Sequence, residues 1–505
     1  MAEVGAVLAH WAAEIGGEPA IICPSGDRTF AELENGINRT ANALRTRGLR
    51  RGDAVAIALT NRAEYAEAVH ACLRSGLRYT PVNWHLTSDE ITYIVDDCEA
   101  KALIGDARAD TMLAPVANHT PGVQTYLSVD GAIDGFESYA DAVAAEDGDF
   151  IAQPSLGSRM LYTSGTTGRP KGVVRPPSYS TGLTALTDGP RYAAGTGQRN
   201  LCTGPLYHGG PHGYGMTVPL AHGIGVVLME RWDATTALQL IEQHRITHTH
   251  MVPTMFHRLL RLPSEVRASA DVSSLQYVLH GAAPCPIETK QAMIDWLGPI
   301  VWEYYAATEG AGASCSSREW LARPGTVGLP PSPGHIQILD GEGHALPAGT
   351  DGEICFRRNE QVTFEYFKDP DKTAAAIRPG GYASVGDIGY LDDDGWLFIT
   401  DRGAELIVRG GVNIYPAEVE AVLLTHPAVR DAAAIGVPDD EWGETVTAVV
   451  ELDAAATPSE LIEWCRAGIA KFKCPTAVEV VDELPRLDNG KLYRHRLRKQ
   501  YRGHG

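Results

Sequence analysis

The stretch Leu161-Tyr-Thr-Ser-Gly-Thr-Thr-Gly-Arg-Pro-Lys-Gly-Val173 decides the reading of this chain. Gly165 and Gly168 carry no Cβ, so the backbone there turns tightly and brings its N–H groups close to a bound anion. Thr163, Ser164, Thr166 and Thr167 contribute four hydroxyls, and Lys171 adds a compact positive charge. Together they form a wrap for a polyphosphate. It is not a Walker A loop, because the spacing Gly-x-x-x-x-Gly-Lys-Ser/Thr is absent.

Outward from this loop, strand and helix patterns alternate. Thr29-Phe-Ala-Glu32 is a capping box that predicts a helix to about Arg47. Ala54-Val-Ala-Ile-Ala-Leu59 reads as a buried strand, followed by a helix near Ala63–Ser75 and a strand at Tyr79–Val82. Thr87-Ser-Asp-Glu90 is a second capping box, and Ala102–Ile104 a further strand. Beyond the loop, Gly225–Leu228 reads as a strand, Thr235–His244 as a helix and Leu275–Leu279 as a strand. Alternation of this kind predicts parallel sheets covered by helices. From about Gly334 short strands punctuated by Gly, Asp and Pro predict an antiparallel β-subdomain over about 334–401. Asp401-Arg-Gly-Ala404 is the strongest boundary, giving an N-terminal domain over 1–401 and a small α+β domain over 402–505.

Bulk properties exclude several classes. A chain of 505 residues is too long for one core and implies roughly two to four domains or subdomains. A formal net charge of −20 opposes general nucleic-acid binding and adhesion to anionic membranes. The end from Lys491 onward is nevertheless basic, with Lys491, Arg494, Arg496, Arg498, Lys499 and Arg502 and no acid. Cys23, Cys72, Cys98, Cys202, Cys285, Cys315, Cys355, Cys465 and Cys474 are scattered without a Cys-x-x-Cys pair, which predicts neither a disulfide framework nor a zinc site and fits a cytoplasmic setting. No segment has the length and apolarity expected of a membrane span, and the N-terminus Met1-Ala-Glu-Val-Gly5 lacks the basic-then-apolar run of a signal peptide. His244, His248, His250, His257 and His280 show no metal-like convergence and read as polar packing residues.

The order of residues in 161–173 resembles the phosphate loop of the adenylate-forming superfamily, which includes acyl-CoA synthetases, aryl-CoA ligases, luciferases and peptide-synthetase adenylation domains. Four further segments resemble that family in its order. Glu303-Tyr-Tyr-Ala-Ala-Thr-Glu-Gly310 is similar to its Tyr-Gly-x-Thr-Glu motif, with Tyr305, Thr308 and Glu309 in register and Ala306 where the family has glycine. Gly386-Asp387 and Asp401-Arg402 resemble its ribose-binding pair, with Val385 in place of a threonine and Ala404 at the hinge. Gly410-Gly-Val-Asn-Ile-Tyr-Pro-Ala-Glu-Val-Glu420 resembles the glycine-rich start of the small domain. Pro485-Arg-Leu-Asp-Asn-Gly-Lys491 resembles the terminal lysine motif. Gly281-Ala-Ala283 and Pro205-Leu-Tyr-His208 are weaker matches to the segments on adenine's other face and beside the acyl pocket.

The resemblance implies an α/β fold with a large N-terminal domain and a small mobile C-terminal one. It implies an ATP-dependent carboxylic acid–CoA ligase working through acyl-AMP, with ATP, Mg²⁺ and coenzyme A. Thr163, Ser164, Gly165, Thr166, Thr167, Gly168 and Lys171 would hold the phosphates. Glu309 and Thr166 would hold the metal, and Tyr305, Thr308, Gly281, Ala282 and Ala283 would frame the adenosine. Asp387 and Arg402 would bind ribose. Lys491 would act at the adenylating centre, His208 at the acyl pocket, and Gly410, Gly411, Lys471 and Lys473 toward coenzyme A. The glycines Gly209, Gly210, Gly213 and Gly215 lean toward a medium- or long-chain fatty acid or another bulky acid, with aryl and steroid-type acids as the alternative. Loading of a carrier protein, luciferase-like oxidation and a non-catalytic nucleotide-binding regulator are the rival functions. A homodimer is compatible with the chain.

Overall fold

A computed structural model describes residues 5–163, 170–177, 192, 197–282, 285, 287–358, 363–402, 407–414, 416–485 and 494–501. Both capping boxes close as the sequence predicts. Thr29 starts helix Phe30–Thr46 and Thr87 starts helix Ser88–Asp97, each with reciprocal bonds to the glutamate three residues on. Helix Phe30–Thr46 lies against helix Ala63–Ser75, where Arg74 grips Glu34 through two 2.7 Å hydrogen bonds in a buried, bidentate pair. Phe30, Leu33, Ile37 and Leu44 on its inner face are fully buried, each contributing roughly 1.5–3 kcal/mol of burial.

Two eight-stranded sheets form the large N-terminal domain. One runs Glu365–Tyr366, Lys171–Val174, Ser158–Thr163, Arg78–Pro81, Ala54–Ala58, Ala100–Asp106, Thr125–Val129, Glu137–Ser138. Its strands are parallel from Ser158–Thr163 onward and antiparallel at the Lys171–Val174 edge. The other runs Ala311–Cys315, Val301–Ala306, Tyr277–His280, His248–Met251, Arg199–Cys202, Gly225–Leu228, Pro19–Ile22, Arg28–Thr29. It is parallel in its interior and antiparallel at both edges. Strands such as Ala54–Ala58 and Gly225–Leu228 are buried along their whole length, because helices cover both faces.

A five-stranded antiparallel sheet follows over Ile336–Leu339, Gly352–Arg357, Tyr382–Leu391, Ile377–Arg378 and Leu397–Arg402. The C-terminal domain has its own five-stranded sheet. Val412–Ile414, Ile407–Arg409, Gly443–Leu452 and Val429–Asp439 are antiparallel, and Ala477–Val480 adds to Gly443–Leu452 in parallel. Helices Pro416–Leu423 and Pro458–Gly468 cover it around a core that includes Val419, Leu423, Val446, Val450 and Leu461. Among the described residues no helix is long and apolar enough to cross a membrane.

Candidate active site

One cavity of about 610 Å³ opens where the carboxyl ends of parallel strands meet the C-terminal domain. Ligands in open α/β sheets gather at such ends. Three strands deliver its central residues. Ser158–Thr163 ends on Thr163, Tyr277–His280 leads through Gly281, which packs behind the wall against Tyr304, to Ala282, and Val301–Ala306 presents Tyr304, Tyr305 and Ala306 and runs on to Thr308 and Glu309. Ala282 takes φ +69°, left-handed backbone that costs an alanine energy and persists at the cavity wall.

Thr163 pairs with Lys171 across an antiparallel ladder, so these two residues close the base of the phosphate loop. Ser164, Gly165, Thr166, Thr167 and Gly168 lie outside the described residues, as do Ala283 and Lys491. Lys171 Nζ lies 3.1 Å from Asp369.

Tyr305 and Asp387 meet through their side chains, the phenol donating to the carboxylate across 2.6 Å. Asp387 also faces Arg402 in register on the neighbouring strand. Thr308 and Glu309 are anchored by residues the sequence reading left out. Arg175 Nη1 donates to the Thr308 carbonyl at 3.0 Å, and the Tyr366 hydroxyl donates to Glu309 at 2.9 Å. Burial raises the Glu309 carboxyl above its usual range, and the Tyr366 bond works against that shift. Lys372, lowered by burial and held up by Glu309, stacks over the Tyr366 ring at 4.2 Å. A carboxylate buried at the cavity wall with hydroxyl and lysine support is a suitable oxygen ligand for a hard divalent cation. The residues present therefore fit Mg²⁺ at Glu309. Tyr366, Lys372 and Arg175 carried no motif signal, since sequence distance hides their convergence.

The same cavity has an arm-like side formed by lining residues Tyr207, His208, Gly209, Gly210, Gly213, Tyr214, Thr217, Val218 and Tyr304. Much of it comes from the π-helix Pro211–Thr217, a wide turn that recurs at functional sites. A Cβ on Gly213 would meet nothing within 4 Å, whereas one on Gly210 would press 2.9 Å from the His250 ring and 3.0 Å from the Tyr304 hydroxyl. His250 Nε2 and Tyr304 share a 3.1 Å hydrogen bond, and Tyr214 packs on both rings. Burial, with the His85 ring nearby, pushes His208 down to about 4, so its imidazole is neutral near pH 7.

The C-terminal domain closes the remaining side with Gly410, Gly411, Val412, Asn413 and Trp442. Both glycines have positive φ, and their Cβ positions would lie 3.0 Å from Trp442 and 3.2 Å from Val252, so only glycine fits this approach. Arg258 of the N-terminal domain stacks on Trp442 at 4.4 Å and pairs with Glu441 at 3.2 Å. Lys471 and Lys473 do not line the cavity. Lys473 is buried, its Nζ 2.8 Å from Glu90 and 2.6 Å from Glu418. Its charge is already committed inside the protein.

Residues 8–367 match the AMP-binding enzyme family and residues 418–491 match the AMP-binding enzyme C-terminal domain. A 2-succinylbenzoate–CoA ligase of Bacillus pumilus is 34 % identical over 491 residues, covering 95 % of each chain. A feruloyl-CoA synthase of Amycolatopsis sp. is 33 % identical over 482 residues, covering 94 % of each. The o-succinylbenzoate CoA synthetase of Bacillus subtilis, 30 % identical, superposes with TM-score 0.84 as a double mutant bound to a CoA product analogue, with 98 % of each chain covered. In complex with its acyl-adenylate intermediate the same synthetase superposes at 0.68, with 97 % of each covered. The chain belongs to the AMP-binding enzyme family of adenylate-forming enzymes.

Proposed function

We propose that this AMP-forming acid–CoA ligase acts on an aromatic or similarly bulky, compact acid. The observation that carries the substrate class is the cavity arm between the glycine-lined π-helix and Tyr304, walled by Tyr207 and Tyr214. Flat rings with small glycine spacers suit a planar acyl group through offset and edge contacts. The relatives named for 2-succinylbenzoate and ferulate support the aromatic side of the expectation over the fatty-acid side.

In this reading the acid's carboxylate attacks the α-phosphate of ATP, forming acyl-AMP and releasing pyrophosphate. The thiol of coenzyme A then attacks the acyl carbon and AMP leaves. Thr163, the loop 164–168 and Lys171 hold the phosphates, and Asp387, oriented by Tyr305, accepts from the ribose hydroxyls while Arg402 donates to the ribose or phosphate oxygens. Glu309 and Thr166 hold Mg²⁺, which supplies neutralisation of phosphate charge when bound. Neutral His208 stands beside the acyl arm and cannot repel or trap the acid by charge. Lys491 stabilises negative charge at the adenylating centre, and residues 402–505 turn to bring Gly410 and Gly411 to the cavity for thiol entry. Charge stabilisation and positioning are the main levers in both steps. Nine free cysteines, eight of them buried, support a reducing, cytoplasmic setting.

The test is a panel of carboxylic acids with Mg·ATP and coenzyme A, read by mass spectrometry for acyl-CoA and AMP. Benzoate- and cinnamate-type acids are expected to lead acetate and the C6 to C18 fatty acids. A preference for long chains would overturn the aromatic reading, and acyl-AMP without thioester would point to a carrier-protein acceptor.

A further inference from the structure

The buried ion pairs at the domain junction have no place in the chemistry above, yet they join the two halves of the enzyme. Glu90 belongs to the N-terminal domain, in the first turn of helix Ser88–Asp97. Its Oε2 accepts from the Thr87 N–H at 2.9 Å and the Thr87 hydroxyl at 3.0 Å, which fixes the carboxylate and leaves Oε1 for Lys473 at 2.8 Å. Glu418 and Lys473 belong to the C-terminal domain. Glu418 sits in helix Pro416–Leu423, a few residues after Gly410 and Gly411, and accepts from Lys473 at 2.6 Å. Around them, Ala470 and Phe472 join the apolar cluster of the N-terminal domain that includes Trp84, Ile91 and Ile94.

A lysine and two carboxyls taken out of water form a costly device for stability alone, and breaking such a group leaves a charge uncompensated. Here the arrangement is asymmetric. If the C-terminal domain turns away, Lys473 keeps Glu418 and gives up only Glu90. The contact therefore biases the domain's orientation without welding it. By contrast Arg258–Glu441, the other ion pair described between the domains, has an exposed carboxylate and contributes little.

We infer that Lys473 is a positioning residue, bridging Glu418 to Glu90 so that Gly410 and Gly411 are held against the cavity during thiol transfer. The better superposition on the synthetase carrying a CoA product analogue than on its acyl-adenylate complex supports assigning the contact to that orientation. The inference rests on the proposed turning of the C-terminal domain between half-reactions.

Glu90→Gln is the decisive variant, because glutamine preserves the capping box while removing the charge that faces Lys473. Adenylation, followed by pyrophosphate exchange, should be unchanged. Thioester formation from supplied acyl-AMP should fall about tenfold with a raised KM for coenzyme A, the scale of a typical coupling between sites. Lys473→Met should reproduce the split, and Glu90→Gln added to it should cost nothing more. Equal loss in both half-reactions, or no loss in either, would overturn the inference. An activity-independent readout separates this from failure of the ligase reading. Spin labels at Leu321→Cys and Val480→Cys, both exposed sites in a Cys285→Ser background, report the interdomain distance. The Glu90→Gln distance distribution should lose part of the wild-type population, and an unchanged distribution would also overturn the inference.

Discussion

The Tyr305 hydroxyl donates to the Asp387 carboxylate across 2.6 Å, tying strand Val301–Ala306 of a parallel sheet to strand Tyr382–Leu391 of the antiparallel one. An aromatic ring expected to face adenine thus also orients the residue expected to hold ribose. Tyr305→Phe keeps the ring and removes that bond. A hydrogen bond to a charged group is worth about 1.5–3 kcal/mol, so ATP binding by calorimetry should weaken roughly tenfold with the melting temperature little changed. Asp387→Ala should weaken it further. Unchanged affinity in both variants would remove the pair from the nucleotide site.

Glu309 and Lys491 should separate the two half-reactions. For Glu309→Gln, which keeps the Tyr366 partner but removes the charge, adenylation should drop by roughly 10²–10³ and respond weakly to added Mg²⁺. Lys491→Ala should cripple adenylation in the same range while thiolysis of supplied acyl-AMP persists. Parallel loss of both half-reactions in Lys491→Ala would refute its role at the adenylating centre.

Gly213 gauges the depth of the acyl arm. A side chain there enters open space, so Gly213→Val should fold normally and narrow the cavity. Discrimination against the larger acids of the panel should rise by about tenfold or more in kcat/KM, the worth of one or two methylenes of misfit. An unaltered ranking of acids would show that the acyl group lies elsewhere.

Buried histidines make the fold acid-sensitive. Burial, with Arg74 nearby, pushes His70 down to about 3, and burial alone pushes His250 to about 3. Both lie below the ordinary value of 6.5, so the folded state refuses protons that the unfolded chain accepts. Their contribution to stability is whole above pH 6.5 and is lost as pH falls toward 3, at about 1.4 kcal/mol per pH unit for each ring. The urea midpoint should therefore drop from pH 7 to pH 5, and His70→Gln should flatten that slope. An identical slope in the variant would exclude His70 as a contributor.

Elements bounded by local chemistry were legible in the sequence. The two capping boxes, strand Ala54–Ala58, helix Ala63–Ser75 and strand Gly225–Leu228 follow from hydroxyl-to-N–H bonds and apolar runs within a few residues. The motif residues Thr163, His208, Ala282, Tyr305, Thr308, Glu309, Asp387, Gly410 and Gly411 all line one cavity. Lys473 shows the limit of such reasoning, since a basic residue near a phosphate-binding end reads the same whether it faces solvent or a buried carboxylate 383 positions away.

The sequence by itself determined the periodicities and the caps, because those depend on short-range sterics and hydrogen bonding, whereas the Val252 contact that excludes a Cβ at Gly411 comes from tertiary structure. Tertiary structure alone decided that Tyr366 supports Glu309, that Tyr305 holds Asp387, that His250 bonds Tyr304 and that Lys473 bridges two domains. Each of these contacts joins residues tens to hundreds of positions apart. Their partners are selected by sheet order and domain docking, which no local pattern of residues encodes.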